Sequence, residues 1–440
     1  MIVRPAKRIR GRLVMPGDKS ISHRAAMIAA LAEGTSRISN YSTSIDCAAT
    51  LSCLQQLGVR VEQSEPQVLV HGVGSHGFVE PSTPLDCRNS GTTMRMLAGI
   101  LAGQSFSSVL TGDVSLRARP MQRIIEPLQM MGAEISASDG HAPITIQGTR
   151  SLQAITYELL IASAQVKSAI LLAGLRPNGR TKVIENDATR DHTERMLQVF
   201  GAQMETGIDE HEGENAHFAA VEGPANLTAQ HISIPGDISS AAYFVAAACL
   251  FPDSSLEIAG VGLNLTRVEF LKQLQALGFA VEIADEFVET NEPRGCLRVH
   301  GSGSLQLKKS DSRIMLNGLL IPNLIDELPV LAVVGSQIQG GIEIRDAVEL
   351  RFKESDRIAT TAGNLRAMGA EVQEFDDGLR VNGPTRLHGA IIDPRGDHRI
   401  AMTFAVAGLI AEGETEIRNS DCVAVSFPEF FELLNSVVET

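Results

Sequence analysis

The stretch MPGDKSISHRAAMIAALAEGTSRIS, residues 15–39, contains a Pro-Gly-Asp turn, an alanine-rich apolar segment, a glycine and a short alternating segment. Asp18 or Ser20 is a suitable N-cap for a helix over the alanine-rich segment, and Gly34 suits a turn before a strand. The same order recurs five more times, starting at Ser90, Ser163, Asp237, Asp326 and Asp397. The sequence therefore predicts one α/β unit repeated six times, with a period of about 440/6, or 73, residues.

Two further elements recur with the same period. The pattern L-x-x-[LMF]-G is found as LQQLG (54–58), LQMMG (128–132), LQVFG (197–201), LQALG (274–278) and LRAMG (365–369). It predicts a helix with glycine at C′, followed by a strand. A second strand ending in glycine is predicted at Gly72, Gly148, Gly223, Gly301 and Gly383. FFELLNSVV, near residue 436, is a sixth helix without the glycine. An α/β fold with alanine-rich helices in its interior follows.

MPGDKS at 15–20 is echoed three repeats later by IPGDIS at 234–239. If three repeats form one domain, the chain crosses between domains at these turns, near 16–18 and 235–237. One predicted domain comprises residues 1–18 plus 236–440, and the other residues 19–235. Two neighbouring crossovers would form a hinge that lets the domains close on a ligand.

The composition excludes several classes of function. The net charge is −14, aromatic residues make up 4% and tryptophan is absent, so neither a nucleic acid nor an anionic membrane is an expected partner. No run has the length of a signal peptide or a membrane span. The six cysteines include no CxxC pair. We therefore expect a cytoplasmic protein without disulfides or a zinc site.

Cations are concentrated at predicted element starts, although the chain is acidic overall. Helix N-termini carry partial positive charge and free N–H groups, so cations gathered there suit a phosphate or carboxylate ligand. A solvent-exposed helix face is the alternative for the run RFKESDR (351–357). The nine cations are Lys19, Arg24, Arg95, Arg119, Lys167, Arg190, Lys353, Arg357 and Arg399.

Six motifs, PGDKSISHR, NSGTTMR, ASAQVKSA, TRDHTE, LRFKESDR and DHRIAM, resemble those of the 5-enolpyruvylshikimate-3-phosphate synthase family, in the family's order and from residue 11 to about residue 430. The resemblance implies an inside-out α/β barrel fold of two domains with three βαβαββ repeats each. It implies transfer of enolpyruvyl from phosphoenolpyruvate to the 5-hydroxyl of shikimate 3-phosphate, on the shikimate pathway to aromatic amino acids, by a monomer. No metal or organic cofactor is implied.

The resemblance also assigns residues to roles. Asp326 is the candidate base and Glu354 the candidate for proton transfer at the methylene carbon, with Lys19 near the bridging oxygen. His398 contacts the phosphate of phosphoenolpyruvate or, alternatively, has a structural role at the helix cap. The residues assigned to shikimate 3-phosphate are Lys19, Ser20, Arg24, Ser163, Ala164, Gln165, Arg190, Asp326 and Lys353. Those assigned to phosphoenolpyruvate are Lys19, Gly91, Arg119, Gln165, Arg357 and Arg399.

The sequence departs from the family's pattern in two places. Arg88 stands where many members have glycine, and Val425 stands where some members have a lysine that contacts phosphoenolpyruvate. Glyphosate-tolerant members carry alanine at the position of Gly91, so the glycine predicts a glyphosate-sensitive enzyme.

Two rival functions remain open. The related transferase acting on UDP-N-acetylglucosamine carries a cysteine in the loop corresponding to LRARPMQR (116–123), where this sequence has none. A non-catalytic anion-binding protein on the same scaffold would be expected to lack Asp326 or Glu354, and both are present.

Overall fold

A computed structural model describes residues 1–75, 77–149, 151–211, 214–301 and 313–440. The chain divides into two compact units. Unit 1 comprises Met1–Pro16, Pro235–Val288 and Pro293–Thr440, and unit 2 comprises Gly17–Ile234 and Glu289–Glu292. The domains expected from the sequence, residues 1–18 plus 236–440 and residues 19–235, stay a prediction. The small segment Glu289–Glu292 was not expected in unit 2.

The helices alternate with strands along the described chain. They are α1 Lys19–Leu31, α2 Ile45–Gln56, α3 Gly91–Ala102, α4 Val114–Arg117, α5 Gln122–Met130, α6 Ala164–Ala173, α7 His192–Val199, α8 Ile238–Leu250, α9 Glu269–Ala276, α10 Ile321–Leu324, α11 Leu328–Gly335, α12 Arg357–Ala367, α13 His398–Ile410 and α14 Phe430–Val437. Short 3₁₀ helices span Gly318–Leu320, Val348–Phe352 and Ser420–Val425.

The strands are short, and most of them alternate buried with more exposed residues. They are β1 Ile2–Val3, β2 Arg8–Val14, β3 Glu33–Ser39, β4 Arg60–Ser64, β5 Gln67–Val73, β6 Leu85–Asp86, β7 Ser107–Thr111, β8 Glu134–Ser138, β9 His141–Gln147, β10 Thr156–Leu159, β11 Gly179–Glu185, β12 Met204–His211, β13 Glu214–Gly223, β14 His231–Ser233, β15 Ser255–Gly262, β16 Ala280–Glu289, β17 Glu292–His300, β18 Ile314–Leu316, β19 Ile342–Ile344, β20 Val372–Phe375, β21 Gly378–Val381, β22 Ile391–Ile392, β23 Thr415–Ile417 and β24 Val438–Glu439.

Unit 2 contains three sheets of one topology, with strand orders β14-β3-β5-β4, β6-β7-β9-β8 and β10-β11-β13-β12. In each sheet the first pair is parallel and the next two pairs are antiparallel. This is the pairing of a βαβαββ repeat, in which the first helix connects the parallel strands.

Unit 1 repeats this plan with variations at its ends. The order β18-β19-β21-β20 matches the sheets of unit 2, while β16-β17-β15-β2-β24 carries an additional strand. In the third sheet, β22 and β23 are parallel and the N-terminal strand β1 pairs antiparallel with β23. The predicted fold class, six α/β repeats with three in each half, is confirmed.

The paired Pro-Gly-Asp turns mark an exchange of strands. Strand β2 pairs with β15 of unit 1, yet the chain passes through Pro16-Gly17-Asp18 directly into α1 of unit 2. Strand β14 pairs with β3 of unit 2, and the chain then passes through Pro235-Gly236-Asp237 into α8 of unit 1. In each unit, one repeat therefore begins with a strand from the opposite end of that unit's sequence. This strand is β2 in unit 1 and β14 in unit 2.

Glycines fix the ends of the repeats, as the sequence pattern predicted. Gly58, Gly132, Gly201, Gly278 and Gly369 all have φ between +88° and +97°, the left-handed conformation of a helix C′ residue. The strand glycines act by close approach instead. A Cβ on Gly72 would lie 2.1 Å from the Ala32 carbonyl oxygen, and one on Gly148 would lie 2.2 Å from that of Gln104. In these two repeats the last strand therefore ends directly against the C-terminal end of an alanine-rich helix.

Those alanine-rich helices form the core of each unit. Ile21 to Leu31 of α1 are all buried in unit 2, as are Ile238 to Cys249 of α8 in unit 1. Each unit has one large apolar cluster of its own. No single helix among the described residues combines the length and apolar character of a membrane span, although the bent pair Gly318–Leu324 and Leu328–Gly335 reaches both criteria together.

Candidate active site

The first turns of three core helices carry the predicted site residues of unit 2. Asp18, Ser90 and Ser163 are the N-caps of α1, α3 and α6, and each side chain accepts a hydrogen bond from a backbone N–H of the first turn. Asp18 rather than Ser20 is therefore the cap of α1. With capping oxygens in place, each N-terminus has a fixed geometry with backbone N–H groups directed outward.

Lys19 and Arg24 on α1 are both held by neighbours. Lys19 Nζ lies 2.9 Å from Asp46 Oδ2 at the start of α2. Arg24 is buried and donates to the Ser20 carbonyl at 2.9 Å and to the hydroxyls of Ser168 on α6 and Thr193 on α7 at 2.9 and 2.7 Å. These bonds bring the second turns of α1 and α6 and the start of α7 together.

Gln165 links the starts of α6 and α3. Its Nε2 donates to Thr92 Oγ1 at 2.9 Å, and its Oε1 accepts from Arg95 Nη1 at 2.6 Å. Gly91, the first residue of α3, lies beside this pair, because a Cβ there would stand 2.8 Å from Arg95 Nη1 and 3.4 Å from Arg119 Nη1. The backbone of α3 thus lies close against two guanidinium groups.

Arg119, in the loop after α4, also lies beside the start of α3. Its Nη2 donates to Asn89 Oδ1 at 2.7 Å, and Asn89 donates in turn to Asp113 Oδ2 at 2.7 Å. Arg119 is 7% exposed. These bonds orient the Arg119 guanidinium, and its planar fork suits a carboxylate or phosphate.

A buried chain of hydroxyl groups connects α1 through α2 to the start of α3. His23 Nδ1 is 2.6 Å from Thr50 Oγ1, which is 2.7 Å from Thr93 Oγ1, which is 2.7 Å from the cap oxygen of Ser90. Burial lowers the pKa of His23, and the neighbouring Lys19 and Arg24 lower it further. A neutral imidazole therefore supports the N-terminus of α3 from α1.

Arg190 and Lys167 differ in their surroundings. Arg190 is half-buried in the loop between β11 and α7. Lys167 is buried between Glu185 and Glu194, with Nζ–O distances of 2.6 and 2.8 Å. The expectation that all nine cations serve an anion is wrong for Lys167, because two carboxylates already neutralise it.

Arg357 is the centre of the corresponding group in unit 1. Its Nε donates to Asp397 Oδ2 at 2.8 Å, its Nη2 donates to Glu354 Oε2 at 2.5 Å, and its Nη1 lies 3.4 Å from Asp326 Oδ1. The Arg357 side chain is 1% exposed. Burial lowers the pKa of Arg357, but Asp397 and Glu354 outweigh it and the pKa is raised. One permanent charge therefore holds both proposed catalytic carboxylates.

Arg399, in the first turn of α13, joins the same network. Its Nη2 lies 3.3 Å from Asp326 Oδ2, and its Nη1 lies 3.8 Å from Glu327 Oε1. Asp397 caps α13 by accepting from the Arg399 backbone N–H at 2.9 Å. His398, between them, is buried. Asp326 is thus shared by Arg357 and Arg399.

The run KESDR does not form a helix face. Lys353, Glu354 and Ser355 lie in a bend, and α12 begins at Arg357 with Asp356 as its N-cap. Burial lowers the pKa of Lys353, and Asp326 partly offsets that effect. The alternative of a solvent-exposed helix face is therefore wrong.

Sequence reasoning missed the partners that anchor the cations. Asp46 lies in the first turn of α2, and an acidic residue there signals only a helix start. The link from Arg267 through Ser239 to Glu327, with distances of 2.6 and 2.5 Å, has no local signal. Among the described residues, no group of three or more His, Cys, Asp or Glu is arranged to hold a metal ion.

Comparisons with known proteins agree with this architecture. The enolpyruvyl transferase NikO from Streptomyces tendae superimposes with a TM-score of 0.77 at 18% identity, over 99% of this chain and 96% of that chain. A solved EPSP synthase from Acinetobacter baumannii gives a TM-score of 0.84 at 38% identity, over 100% of this chain and 98% of that chain. The fold is that of the enolpyruvyl transferases.

Sequence comparison narrows the class further. The profile of the family described as EPSP synthase (3-phosphoshikimate 1-carboxyvinyltransferase) matches residues 3–434. Proteins named 3-phosphoshikimate 1-carboxyvinyltransferase are 51% identical in Koribacter versatilis, over 99% of both chains, and 48% identical in Brevibacillus brevis, over 98% of both chains. The chain belongs to the EPSP synthase family.

Proposed function

We propose that the protein transfers the enolpyruvyl group of phosphoenolpyruvate to the 5-hydroxyl of shikimate 3-phosphate and releases phosphate. The observation that carries this proposal is the family match over residues 3–434, with identity of 51% to a relative of that name. Both substrates carry a phosphate and a carboxylate, which suits the cations at the helix starts.

The reaction has an addition step and an elimination step. The 5-hydroxyl loses a proton to a base while its oxygen bonds to C2 of phosphoenolpyruvate, and an acid protonates C3. The adduct then expels phosphate as C3 returns the proton. We assign Asp326 as the base and Glu354 as the group that exchanges the proton with C3, with Lys19 near the bridging oxygen and His398 near the phosphate of phosphoenolpyruvate.

The contacts within each unit support these assignments. Asp326 and Glu354 are held by the same guanidinium of Arg357, which fixes their orientation. Lys19 is oriented by Asp46, which lies 2.9 Å away. Preorganised charges of this kind need no rearrangement at the moment of reaction. The remaining roles follow the family resemblance: Ser20, Arg24, Ser163, Ala164, Gln165, Arg190 and Lys353 serve shikimate 3-phosphate, and Gly91, Arg119, Gln165, Arg357 and Arg399 serve phosphoenolpyruvate.

The test is phosphate release from the two substrates by wild-type protein and by Glu354→Gln. The amide keeps the shape of Glu354 but cannot exchange a proton, so we expect kcat to fall by about 10²–10⁴-fold. Calorimetric affinity for shikimate 3-phosphate should stay near the wild-type value. Glu371→Gln, an exposed carboxylate of the same unit, is the matched control. A Glu354→Gln enzyme with most of its activity removes Glu354 from the mechanism, and an inactive wild type overturns the proposed reaction.

We also propose that the protein acts as a cytoplasmic monomer whose two domains are residues 1–18 plus 236–440 and residues 19–235. The scattered, unpaired cysteines support a reducing compartment. The placement of opening strands β2 and β14 supports the domain limits. Light scattering coupled to gel filtration should give a mass of 47.1 kDa; a dimer mass would exclude the monomer.

A further inference from the structure

A buried ion cluster in unit 2 lies outside the residues assigned to either substrate. It consists of Lys167 on α6, Glu185 at the end of β11 and Glu194 on α7. Lys167 Nζ lies 2.6 Å from Glu185 Oε1 and 2.8 Å from Glu194 Oε1, and the three side chains are 2%, 5% and 4% exposed. One ammonium therefore faces two carboxylates in the interior of the unit.

Stability alone does not account for such a cluster. Removing three charged groups from water costs free energy that mutual attraction only partly offsets, and apolar residues of similar size often stabilise a protein as well or better. Burial lowers the pKa of Lys167, but Glu194 and Glu185 outweigh it, so the pKa is raised and the ammonium stays charged. What a directed cluster provides beyond apolar packing is a fixed geometry for the groups attached to it.

The attached groups belong to one loop. Residues 186–191 connect β11 to α7, and Glu185 and Glu194 fix the chain on both sides of this loop. Thr189 donates to Glu185 through its backbone N–H at 3.2 Å and through Oγ1 at 2.7 Å, and its carbonyl lies 3.5 Å from Lys167 Nζ. All three polar groups of Thr189 are thus held by the cluster. The next residue in the chain is Arg190.

The same cluster reaches the helix that bears the other assigned residues. Lys167 follows the N-cap Ser163 by about one turn of α6 and lies closer still to Ala164 and Gln165. The adjacent residue, Ser168, bonds Thr193 of α7 at 2.6 Å and accepts from Arg24 of α1 at 2.9 Å. The cluster therefore sets the distance between the start of α6 and the loop that carries Arg190.

We propose that Lys167, Glu185 and Glu194 are positioning residues that hold Arg190, through Thr189, in register with the start of α6 for binding shikimate 3-phosphate. This inference rests on the proposed function, because that function assigns Arg190 and the start of α6 to one substrate. The cluster itself touches no substrate.

The test compares two threonine-to-valine variants of nearly identical size change. Thr189→Val removes the hydroxyl that bonds Glu185 and leaves all three ions in place. Thr181→Val is the matched control, because Thr181 is buried on β11 and its hydroxyl makes no hydrogen bond within the described structure. For Thr189→Val we expect the calorimetric Kd and the KM of shikimate 3-phosphate to rise about ten-fold, which is about 1.4 kcal/mol of binding free energy. The KM of phosphoenolpyruvate and kcat should stay near the values of Thr181→Val, even though loss of the bond to Glu185 lowers Tm.

A conservative variant separates positioning from folding. Glu185→Gln offers a carbonyl to Lys167 and an amide to the Thr189 hydroxyl, so it should retain wild-type affinity for shikimate 3-phosphate, whereas Glu185→Ala should lose affinity as Thr189→Val does. Equal affinities of Thr189→Val and Thr181→Val overturn the positioning role, and so does a parallel loss of Tm, kcat and both affinities. If wild-type protein binds no shikimate 3-phosphate, the proposed function itself is overturned, and the assignment of Arg190 is overturned with it.

Discussion

Arg88 stands in the turn before α3, where the sequence departs from the family's pattern. Its φ is +50°, in the left-handed region that favours glycine. Its backbone N–H donates to Asp86 Oδ1 at 2.8 Å, and its carbonyl accepts from the Asp113 N–H at 2.8 Å. The side chain is exposed. The turn before α3 therefore has the backbone conformation that favours glycine, and its hydrogen bonds are made by the Arg88 backbone rather than by the side chain.

Gly91→Ala is expected to weaken glyphosate binding more than binding of phosphoenolpyruvate. The added methyl would stand 2.8 Å from Arg95 Nη1 and 3.4 Å from Arg119 Nη1, so the flexible Arg95 guanidinium must shift while the fold is kept. Glyphosate is the longer molecule, so the shift should weaken its binding more than the binding of phosphoenolpyruvate. We expect the inhibition constant to rise at least ten-fold, about 1.4 kcal/mol, with a smaller change in the KM of phosphoenolpyruvate.

Steady-state inhibition assays measure this difference. Gly363→Ala is the control, because that helical glycine has open space around its Cβ position. A wild-type enzyme that resists glyphosate at concentrations far above its KM for phosphoenolpyruvate would show that Gly91 does not confer sensitivity to glyphosate.

His23 should make stability depend on pH on the acid side. Its folded pKa lies well below the ordinary value of 6.5, mainly through burial. Below pH 6.5 the unfolded chain takes up a proton that the folded protein does not, so the unfolding free energy falls as pH falls. One such group contributes up to about 1.4 kcal/mol per pH unit. His23→Asn keeps a polar group near Thr50 but cannot titrate, so urea unfolding between pH 6.5 and 5 should show a shallower slope. The exposed His300 provides the control, His300→Asn, and equal slopes for the two variants would exclude His23 as the source.

At the scale of elements, the close packing of strand glycines against helix ends predicts that a larger residue at these positions destabilises the fold. Gly72→Ala would place a methyl 2.1 Å from the Ala32 carbonyl oxygen and 2.4 Å from that of Ala29, both rigid backbone atoms at the end of α1. Either β5 or α1 must move, so we expect a loss of at least about 2 kcal/mol of unfolding free energy. Gly363→Ala, inside α12 and free of contacts, should gain about 0.5–1 kcal/mol. Urea unfolding of both variants measures these changes. If the two substitutions changed the unfolding free energy in the same direction, the explanation by close approach would be contradicted.

Elements were the scale that the sequence predicted best. Helix caps such as Asp18 and C′ glycines such as Gly58 depend only on residues close to them in the sequence. The local sequence pattern is therefore enough to predict them. The cations could be singled out because they stand near predicted element starts, whereas the roles of the candidate site residues were implied by the family resemblance and stay predictions. Their partners could not be named, since the pairs Lys19–Asp46 and Arg357–Asp397 join residues 27 and 40 positions apart. Such pairing is set by how the repeats pack, and no local signal encodes it. The segment Glu289–Glu292 was missed for the same reason.

At the scale of the whole molecule, the proposed function distributes the shikimate 3-phosphate contacts over both units. Ser163, Gln165 and Arg190 belong to unit 2, whereas Asp326 and Lys353 belong to unit 1. A ligand bound by residues of two units favours conformations in which both sets reach it at once. We therefore propose that the crossover turns at residues 16–18 and 235–237 act as the hinge that the sequence predicts.

Small-angle X-ray scattering should therefore show a smaller radius of gyration when shikimate 3-phosphate is added to the wild-type protein. Phosphoenolpyruvate alone should have less effect, and both substrates together should give the fullest compaction. Thr181→Val, which alters neither the site nor the turns, should respond as wild type does, while Thr189→Val should need more shikimate 3-phosphate for the same change because its affinity is reduced. A radius of gyration that stays constant at saturating shikimate 3-phosphate, in protein that binds the ligand calorimetrically, would show that the crossover turns do not act as a hinge.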